Sequence, residues 1–232
     1  MTDARIGADL KNNDSCGDAY LAYEQTQGRG RFERTWVSAP GAALLVTYHL
    51  CIKVGPHVPL ISAAGGLATA EAIEATTGLL TQQKWPNDVL VDGQKLAGIL
   101  ASARQSLNGK ADVFLGIGIN LFEEATTGLP EPDRQKATTI QGAGISPPGF
   151  ETLLATLSRL LESKLQQLES DPVMFLDEWR GRLVTIGQRV RLSTPNQEFE
   201  GIATSVTDLG ELTLRLDDGS IRSFSAGDVT TA

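Results

Sequence analysis

The chain has 232 residues, of which 41% are hydrophobic, and its formal net charge at pH 7 is −8. The hydrophobic fraction is enough for a folded core, which excludes an intrinsically disordered chain, and the acidic balance argues against general nucleic-acid binding. No apolar run approaches the roughly 18–20 residues that span a bilayer, and the first residues lack the apolar core of a signal peptide. We therefore expect a cytoplasmic protein without membrane contacts.

Cysteine and histidine are scarce in this sequence. Cys16 and Cys51 form no CxxC motif, and the sequence does not decide whether they pair, so reduced thiols are the default expectation. His49 and His57 are the only histidines, and neither has a cluster of cysteines beside it. The sequence therefore predicts no metal site built by the protein itself.

The first half of the chain predicts strands and one helix. An apolar, partly β-branched run from Leu44 to Ile52 indicates a buried strand. Apolar or small residues then recur at helical spacing from Pro59 to Thr77, and Gly78 is the expected C-cap. Because Gly65 and Gly66 lower the propensity of this helix, we expect it to pack closely against a neighbour.

Two hairpin turns follow the helix. Asp92-Gly93 and Asn108-Gly109 each separate runs of apolar or alternating residues, and such dipeptides favour two-residue hairpin turns. The two hairpins predict an antiparallel sheet. A loop rich in proline, threonine and glycine, from Thr126 to Gly149, then leads into the second half of the chain.

The second half predicts helices and then a small β unit. Leucines at helical spacing give the segment from Phe150 to Leu168 one apolar face, and Asp171-Pro172 begins a short helix that runs through Trp179. From Leu183 onwards, short alternating runs are separated by turn residues, which indicates a small barrel or sandwich. We expect an α+β fold in which residues 1–182 form one domain and residues 183–232 form a second.

An arginine-rich and glycine-rich stretch stands out in this acidic chain. It runs Gly28-Arg29-Gly30-Arg31 and continues to Arg34 and Trp36. Glycines let backbone approach a ligand closely, and arginines bind phosphate and carboxylate through a planar fork. Alternatives are a solvated basic loop, or a loop that binds single-stranded nucleic acid with Trp36 as a stacking platform.

A second stretch combines several kinds of chemistry in five residues. Residues 84–88 read Lys-Trp-Pro-Asn-Asp, and Lys95 follows on the far arm of a predicted hairpin. Pro86 restricts the backbone around Trp85 to an extended or turn conformation. By itself the stretch could be a turn with a half-buried tryptophan, and we expect Trp85 to belong to the core rather than to contact a ligand. Asp88 could simply cap the turn.

Together the two stretches resemble the biotin protein ligases, also called biotin–[acetyl-CoA-carboxylase] ligases. That family carries a GRGRxxRxW loop and, later, KWPND followed by KxxGIL, and all these positions match here. A third match is Gly116-Ile117-Gly118-Ile119-Asn120, which is similar to the GxGxN strand end of the family. The resemblance implies a mixed, largely antiparallel catalytic sheet covered by helices, followed by a small SH3-like β-barrel.

The resemblance also implies a reaction in two steps. The carboxylate of biotin attacks the α-phosphate of ATP, which gives biotinyl-5′-AMP and pyrophosphate. A lysine of a biotin carboxyl carrier protein domain then attacks the mixed anhydride. Because two anions must meet in the first step, cations are needed between them. Mg²⁺ would arrive with the nucleotide, held mostly by phosphate oxygens.

The resemblance assigns roles to individual residues of this chain. It makes Lys95 and Arg31 catalytic, and it implies a Gly28–Trp36 loop that is mobile until an anionic ligand folds it down. The biotin-binding residues that it implies are Thr2, Gln25, Gly28, Arg29, Gly30, Arg31, Lys95, Gly98, Gly116 and Gly118. The ATP-binding residues that it implies are Arg34, Trp36, Lys84, Asn87, Asp88 and Asn120. Gly116 and Gly118 could instead serve backbone packing.

The start of the chain departs from the family pattern. Family members usually carry an S-T-N motif after a first strand, and the match of Cys16-Gly17-Asp18-Ala19 to the segment before the arginine loop puts Met1-Thr2-Asp3 there. Either the start given is too late or the biotin pocket is built differently, and we expect these residues to bind biotin more weakly than a chain extended upstream. No room remains for a DNA-binding domain, so a ligase without repressor function is expected. A homodimer through the catalytic sheet is a further implication.

Three other functions remain open at this stage. A lipoate or octanoyl transferase shares the scaffold, but the sequence lacks an RRxSGGG motif. The departure at the start keeps open a non-catalytic protein that binds biotin or an adenylate. An RNA-binding module would use the basic loop and the β-barrel. Release of pyrophosphate from ATP that depends on biotin, but not on lipoate, would separate all of these from a biotin ligase.

Overall fold

The computed structural model describes residues 16–32, 34–105 and 109–231 as two antiparallel sheets joined by three helices. Thr2, which the resemblance assigns to biotin binding, lies outside the described residues, as does the rest of Met1-Thr2-Asp3. Among the described residues, no helix combines the length and the apolar character that a membrane crossing requires. The α+β class expected from the sequence is confirmed.

The first sheet has six strands in the order β1-β2-β6-β5-β4-β3. All of its neighbouring strands are antiparallel, and the two long strands β2 and β6 pair over their full length at its centre. The strands are β1 (Ala19–Ala22), β2 (Ala43–Lys53), β3 (Gln82–Lys84), β4 (Asp88–Val91), β5 (Gln94–Gln105) and β6 (Lys110–Asn120). The buried strand predicted at Leu44–Ile52 is therefore confirmed as β2.

Three helices accompany this sheet: α1 (Ile61–Thr77), α2 (Phe150–Ser170) and α3 (Pro172–Arg182). All three agree with the sequence predictions, including the left-handed C-cap at Gly78, where φ is 76°. The side chain of Asp171 begins α3 by accepting a hydrogen bond from the backbone N–H of Met174 at 3.0 Å. α1 is rich in small residues and lies close to the sheet, since a Cβ at Gly65 would be 3.1 Å from Leu115.

The two faces of the first sheet have different neighbours. On β2, Leu44, Val46 and Tyr48 point into the main core with the helices. Leu45 and Thr47 alternate with them, point to the opposite face, and line a cleft. Because side chains alternate along a strand, one face of the sheet is fixed by the helices and the other remains available for a ligand.

The second sheet is smaller and has the order β10-β9-β8-β7-β11. Its strands are β7 (Arg189–Ser193), β8 (Glu198–Val206), β9 (Leu212–Leu216), β10 (Ile221–Phe224) and β11 (Asp228–Thr231). Every neighbouring pair is antiparallel, as the short alternating runs predict. The buried apolar residues of this sheet belong to the same core cluster as the helices of the first.

Trp85 joins the two sheets. Its side chain is only 2% exposed, so its assignment to the core is confirmed. The indole Nε1 donates to the carbonyl of Gly210 at 2.9 Å, and the backbone N–H of Trp85 donates to Thr185 Oγ1 at 3.0 Å. Beside this contact, the backbone of Val184 donates to the carbonyl of Gln83 at 2.9 Å. The end of β3 and the residue that follows it are therefore hydrogen-bonded to the segments that flank the strands of the second sheet.

The structure pairs the two cysteines, in contrast to the reduced thiols expected by default. A disulfide joins Cys16 to Cys51, with their Cα atoms 5.6 Å apart. The cause is the register of β1 on β2, in which Ala19 lies opposite Tyr48. Continued backwards, the same register brings Cys16 opposite Cys51. A sequence alone cannot give that register, because it depends on how two distant segments pair.

The contact between Trp85 and Gly210 yields a stability prediction. We expect Trp85→Phe to lower the free energy of unfolding by about 1–3 kcal/mol, because the buried carbonyl of Gly210 loses its donor. Urea denaturation followed by circular dichroism measures the change. Trp36→Phe is the matched control, since the indole N–H of Trp36 is buried and has no hydrogen-bond acceptor. Equal losses in the two variants would contradict the joining role of Trp85.

Candidate functional site

A cleft of ≈ 610 Å³ lies over the open face of the first sheet. Its walls come from the arginine-rich loop, from the strands β2, β4, β5 and β6, and from the start of β11 in the second sheet. Of the site residues predicted from the sequence, all that the structure describes line this cleft except Gly28. Residues more than a hundred positions apart thus converge on one cavity, which is the size of a small-molecule site.

The arginine-rich loop, residues 28–36, is folded in this structure. Arg29 and Thr35 form an antiparallel bridge, the Gly30 N–H donates to the carbonyl of Arg34 at 2.7 Å, and the Trp36 N–H donates to the carbonyl of Gly28 at 3.0 Å. Gly28 supports this turn because a Cβ there would collide with the carbonyl oxygen of Trp36. The described residues of the loop therefore form a compact turn, and its mobility before a ligand binds stays a prediction.

The second sheet provides the contacts that hold this loop. Arg31 Nη1 donates to the carbonyl of Gly227 at 3.1 Å, and Arg34 forms an ion pair with Asp228. A backbone carbonyl and a carboxylate of the protein thus pair with two arginines that the family resemblance assigns to ligand binding. Sequence reasoning missed Asp228, because this residue belongs to no recognised motif and its relevance depends on the packing of the second sheet.

Lys95 points into the cleft because β5 contains a bulge at Leu96, opposite the step from Val89 to Leu90 on β4. Lys95 and Gly98 are three residues apart, so an unbroken strand would direct them to opposite faces. The register between β4 and β5 shifts at Val89/Leu90 and puts both on the cleft face, where a Cβ at Gly98 would be 3.2 Å from Lys95 Nζ. This explains the Lys-x-x-Gly spacing, since a bulge re-aims the side chains around it.

The ammonium of Lys95 has two partners in the cleft. Its Nζ lies 2.6 Å from Asp88 Oδ1 and 5.6 Å from the centre of the Trp36 ring. The first contact is an ion pair by distance, although its geometry does not make a hydrogen bond to Asp88 Oδ1, and the second is within the range of a cation–π interaction. Asp88 therefore does more than cap the turn, because it supplies the counter-charge of the predicted catalytic lysine.

Two glycines make room for Trp36. Gly98 and Gly118 lie opposite each other on β5 and β6, and the indole lies over both of them. A Cβ would lie 2.8 Å from Trp36 Cζ3 at Gly98 and 2.6 Å from Trp36 Cζ2 at Gly118. In the structure these glycines are therefore needed for the tryptophan, and their approach to biotin stays a prediction. Gly116 has ordinary spacing to its neighbours.

The two predicted nucleotide-binding asparagines make backbone contacts here. Asn87 Nδ2 donates to the carbonyl of Ile99 at 2.7 Å, and Asn120 Nδ2 donates to the carbonyl of Thr138 at 3.1 Å. The Thr138 N–H in turn donates to the carbonyl of Lys95 at 2.9 Å. Both amides thus hold the backbone around Lys95, and a direct contact with nucleotide stays a prediction.

The cleft is positively charged although the whole chain is acidic. Burial lowers the pKa of Arg31 from its ordinary value, Asp88 opposes that shift, and Arg34 adds to it. Burial also lowers the pKa of Lys84, an effect that Asp88 opposes and that the neighbouring cations Lys95, Lys136 and Arg34 reinforce. Cations that destabilise one another in this way are stabilised when an anion enters the cleft. The site therefore favours anionic ligands.

Sequence comparisons agree with the geometry. The model of the Biotin/lipoate A/B protein ligase family matches residues 9–120, and that of the Biotin protein ligase C terminal domain matches residues 185–230. The biotin–[acetyl-CoA-carboxylase] ligase of Mycobacterium tuberculosis is 34% identical over 97% of this chain and 81% of its own length. The bifunctional ligase/repressor BirA of Escherichia coli is 31% identical over 97% of this chain and 68% of its own length.

Solved structures share the fold. A biotin protein ligase from Aquifex aeolicus, in complex with biotin and ATP, aligns with a TM-score of 0.76 and 24% identity over 97% of this chain and 93% of its own. The enzyme from Leishmania major, in complex with biotinyl-5-AMP, aligns with a TM-score of 0.64 and 22% identity over 96% of this chain and 94% of its own. At these identities the likeness shows a common fold.

The ion pair between Arg34 and Asp228 yields a prediction about the loop. We expect Asp228→Asn to speed trypsin cleavage after Arg29, Arg31 or Arg34 in the ligand-free chain by roughly two- to fivefold, because a partly exposed ion pair contributes up to about 1 kcal/mol. Mass spectrometry of the fragments locates the cuts. Asp217→Asn is the control, since it removes an exposed ion pair with Arg189 elsewhere on the second sheet. An unchanged cleavage rate in Asp228→Asn would show that Asp228 does not hold the loop.

Proposed function

Because the chain belongs to the biotin protein ligase family, it activates biotin with ATP and transfers biotin to protein, and we propose that the cleft over the first sheet carries out both steps. The observation that carries this proposal is the convergence of Arg31, Lys84 and Lys95 on one cavity. Two of the family signatures thus meet around a space of suitable size. The positive charge of the cleft matches the charges of both reactants.

Lys95 is the residue that we assign to the chemical step. The carboxylate of biotin and the α-phosphate of ATP are both anionic, so their approach is opposed by charge repulsion. An ammonium between them offsets that repulsion and stabilises the additional charge of the transition state. The pair with Asp88 keeps Lys95 directed into the cleft in the absence of ligand. Both anionic reactants would compete with Asp88 for this ammonium.

Arg31 and its loop are assigned to closure over the intermediate. An acyl-adenylate is a mixed anhydride that hydrolyses if water reaches it, so the site must exclude solvent before transfer. The hydrogen bond from Arg31 to the carbonyl of Gly227, at 3.1 Å, supports this assignment, because it holds the loop beside the cleft. The assigned role of Arg29 and Gly30 is to contact biotin and the adenylate from this loop.

The nucleotide is assigned to the part of the cleft around Arg34, Trp36 and Lys84. The two cations would bind phosphate oxygens, and the indole offers an apolar surface for the base. The carboxylates of Asp88 and Asp228 already pair with cations, so the donor set fits a Mg²⁺ ion that arrives with ATP and is held mainly by phosphate. When bound, Mg²⁺ would offset phosphate charge.

The acceptor that we propose is a lysine of a biotin carboxyl carrier protein domain, as for the family in general. Residues 1–182 are proposed as the catalytic domain and residues 183–232 as a C-terminal domain that supports the arginine-rich loop. Location in the cytoplasm, a homodimer and the absence of nucleic-acid binding stay predictions. No observation favours a lipoate transferase, an RNA-binding module or a non-catalytic binding protein.

The proposed function is tested with the purified chain, ATP and Mg²⁺. We expect pyrophosphate release that depends on biotin and not on lipoate, together with biotin attached to the lysine of an added carrier domain. Mass spectrometry of the carrier measures the transfer. Equal turnover with lipoate would support the other branch of the family, and biotin binding without pyrophosphate release would support a non-catalytic protein.

Lys95→Ala tests the residue assigned to the chemical step. We expect the single-turnover rate of biotinyl-5′-AMP formation to fall by about 10²–10³, because one preorganised charge is removed from the transition state. Quenched-flow measurement of the adenylate gives this rate. Lys110→Ala, an exposed lysine on β6, is the control and should react at the unchanged rate. An undiminished rate in Lys95→Ala would remove Lys95 from the mechanism.

The lowered pKa of Lys84 predicts how ATP binding depends on pH. Bound phosphate stabilises the ammonium, so Lys84 loses its proton at lower pH in the free chain than in the complex. ATP affinity should therefore fall as the pH rises through the free-chain pKa, which lies below the ordinary 10.5. Calorimetry at increasing pH measures this fall. Lys84→Arg should flatten it because arginine stays protonated, whereas the control Lys110→Arg should not. A slope unchanged in Lys84→Arg would contradict the assignment.

A further inference from the structure

A second cluster of chemically active side chains lies on the cleft face of the first sheet, beyond Phe114. His49 and Cys51 are two residues apart on β2, so they point to the same face, and Asp112 lies directly opposite Cys51 on β6. The disulfide adds Cys16, which precedes β1. Four residues from three segments therefore bring two sulfurs, an imidazole and a carboxylate together. None of these groups has a role in the proposed ligase mechanism.

The spacing of these groups matches the coordination shell of one metal ion. His49 Nε2 lies 3.0 Å from Asp112 Oδ1 and 3.8 Å from Cys51 Sγ, and Cys51 Sγ lies 3.6 Å from Asp112 Oδ1. Ligands at zinc–nitrogen, zinc–oxygen and zinc–sulfur distances around a tetrahedral ion are separated from each other by roughly 3.3–3.8 Å. The three edges thus need little adjustment to surround an ion. The bond to Cys51 places the sulfur of Cys16 at the same cluster.

The imidazole of this cluster is fixed in place. The side chain of His49 is only 2% exposed, and its ring stacks on Phe114 with the ring centres 4.8 Å apart. In the metal-free chain Nε2 donates to the carboxylate of Asp112, which can only accept. Metal binding would move that proton to Nδ1 or to solvent and leave the Nε2 lone pair facing the carboxylate and the sulfur. A buried and oriented imidazole binds a metal without loss of side-chain freedom.

We propose that, when the disulfide is reduced, Cys16, Cys51, His49 and Asp112 bind one zinc-class divalent cation. A thiol reductant supplies two electrons and two protons to the disulfide, which gives two thiols and an oxidised reductant. The cation then displaces the two thiol protons and binds two thiolates, one neutral imidazole and one carboxylate. Exchange with the oxidised reductant, a disulfide that takes back the two electrons, reverses the process and releases the ion. Cys16 is therefore held beside β2 by the disulfide in the oxidised chain and by the shared ion in the reduced chain.

The donor set favours a zinc-class cation over Mg²⁺ and Ca²⁺. Two thiolates and an imidazole suit a borderline-soft ion in tetrahedral geometry, whereas Mg²⁺ and Ca²⁺ prefer six or more oxygen ligands. No metal site was expected from the sequence because neither histidine has a cluster of cysteines beside it, and Cys16 and Cys51 are 35 positions apart. Only the pairing of β1, β2 and β6 brings the four groups together.

Cobalt titration tests the proposal directly. The full chain, without a histidine tag and without nucleotide, is reduced with a phosphine, desalted under nitrogen and titrated with Co²⁺. We expect one Co²⁺ per chain, with sulfur-to-cobalt charge-transfer absorption and the intense visible bands of tetrahedral Co²⁺, both abolished by Zn²⁺. The air-oxidised chain should show neither signal. Since the readout is spectroscopic, its outcome is independent of ligase activity.

The sequence provides matched variants, because it contains only two histidines and two cysteines. We expect Cys16→Ser and Cys51→Ser each to weaken the charge-transfer band, and His49→Gln to weaken Co²⁺ affinity at least about tenfold, since loss of even a supporting contact typically costs that much. His57→Gln is the control and should leave affinity unchanged. Asp112→Asn provides a second test if His49→Gln folds poorly. The proposal is wrong if the reduced wild-type chain shows no thiolate band, or if His49→Gln and His57→Gln bind Co²⁺ with equal affinity. Either result would mean that the cysteines form only a static cross-link.

Discussion

The structure depends on the repulsion among cations that are gathered in one cleft of an acidic chain. Burial lowers the pKa of Arg31 and of Lys84, and neighbouring cations add to both shifts, Arg34 in the case of Arg31 and Lys95, Lys136 and Arg34 in the case of Lys84. Two aspartates offset this repulsion: Asp88 pairs with Lys95, and Asp228 pairs with Arg34. The same positive charge that makes the empty cleft unfavourable makes it suitable for a carboxylate and a triphosphate. Stability and function are therefore linked through the counter-ions of the cleft.

The second sheet and its loops contact the residues that form the cleft. Trp85, next to Lys84, is bonded to Gly210, and Asp228 with Gly227 holds the arginine-rich loop. Motion of the second sheet would therefore act on both edges of the cleft. This is a physical reason for the position of a tryptophan beside the cleft lysine, because its indole fixes the strand that carries Lys84.

Local signals in the sequence were sufficient for much of the fold. The leucine face of α2, the C-cap of α1 at Gly78 and the turn at Asp92-Gly93 each depend on residues close together in the chain, and all are present in the structure. Features that depend on pairing between distant segments could not be predicted from the sequence. The bulge that aims Lys95, the position of Asp228 and the cross-link between Cys16 and Cys51 all depend on strand register or on packing of the second sheet. The motifs located the cleft, while the contacts within it required the structure.

The role of the cleft in biotin activation is tested most directly by a crystal structure of the chain with a non-hydrolysable analogue of biotinyl-5′-AMP. We expect the phosphate replacement to lie between Lys95 and the arginine-rich loop, and Lys95 and Arg34 to exchange their contacts with Asp88 and Asp228 for contacts with the analogue. An analogue bound away from Lys95, with both of these ion pairs intact, would contradict this role.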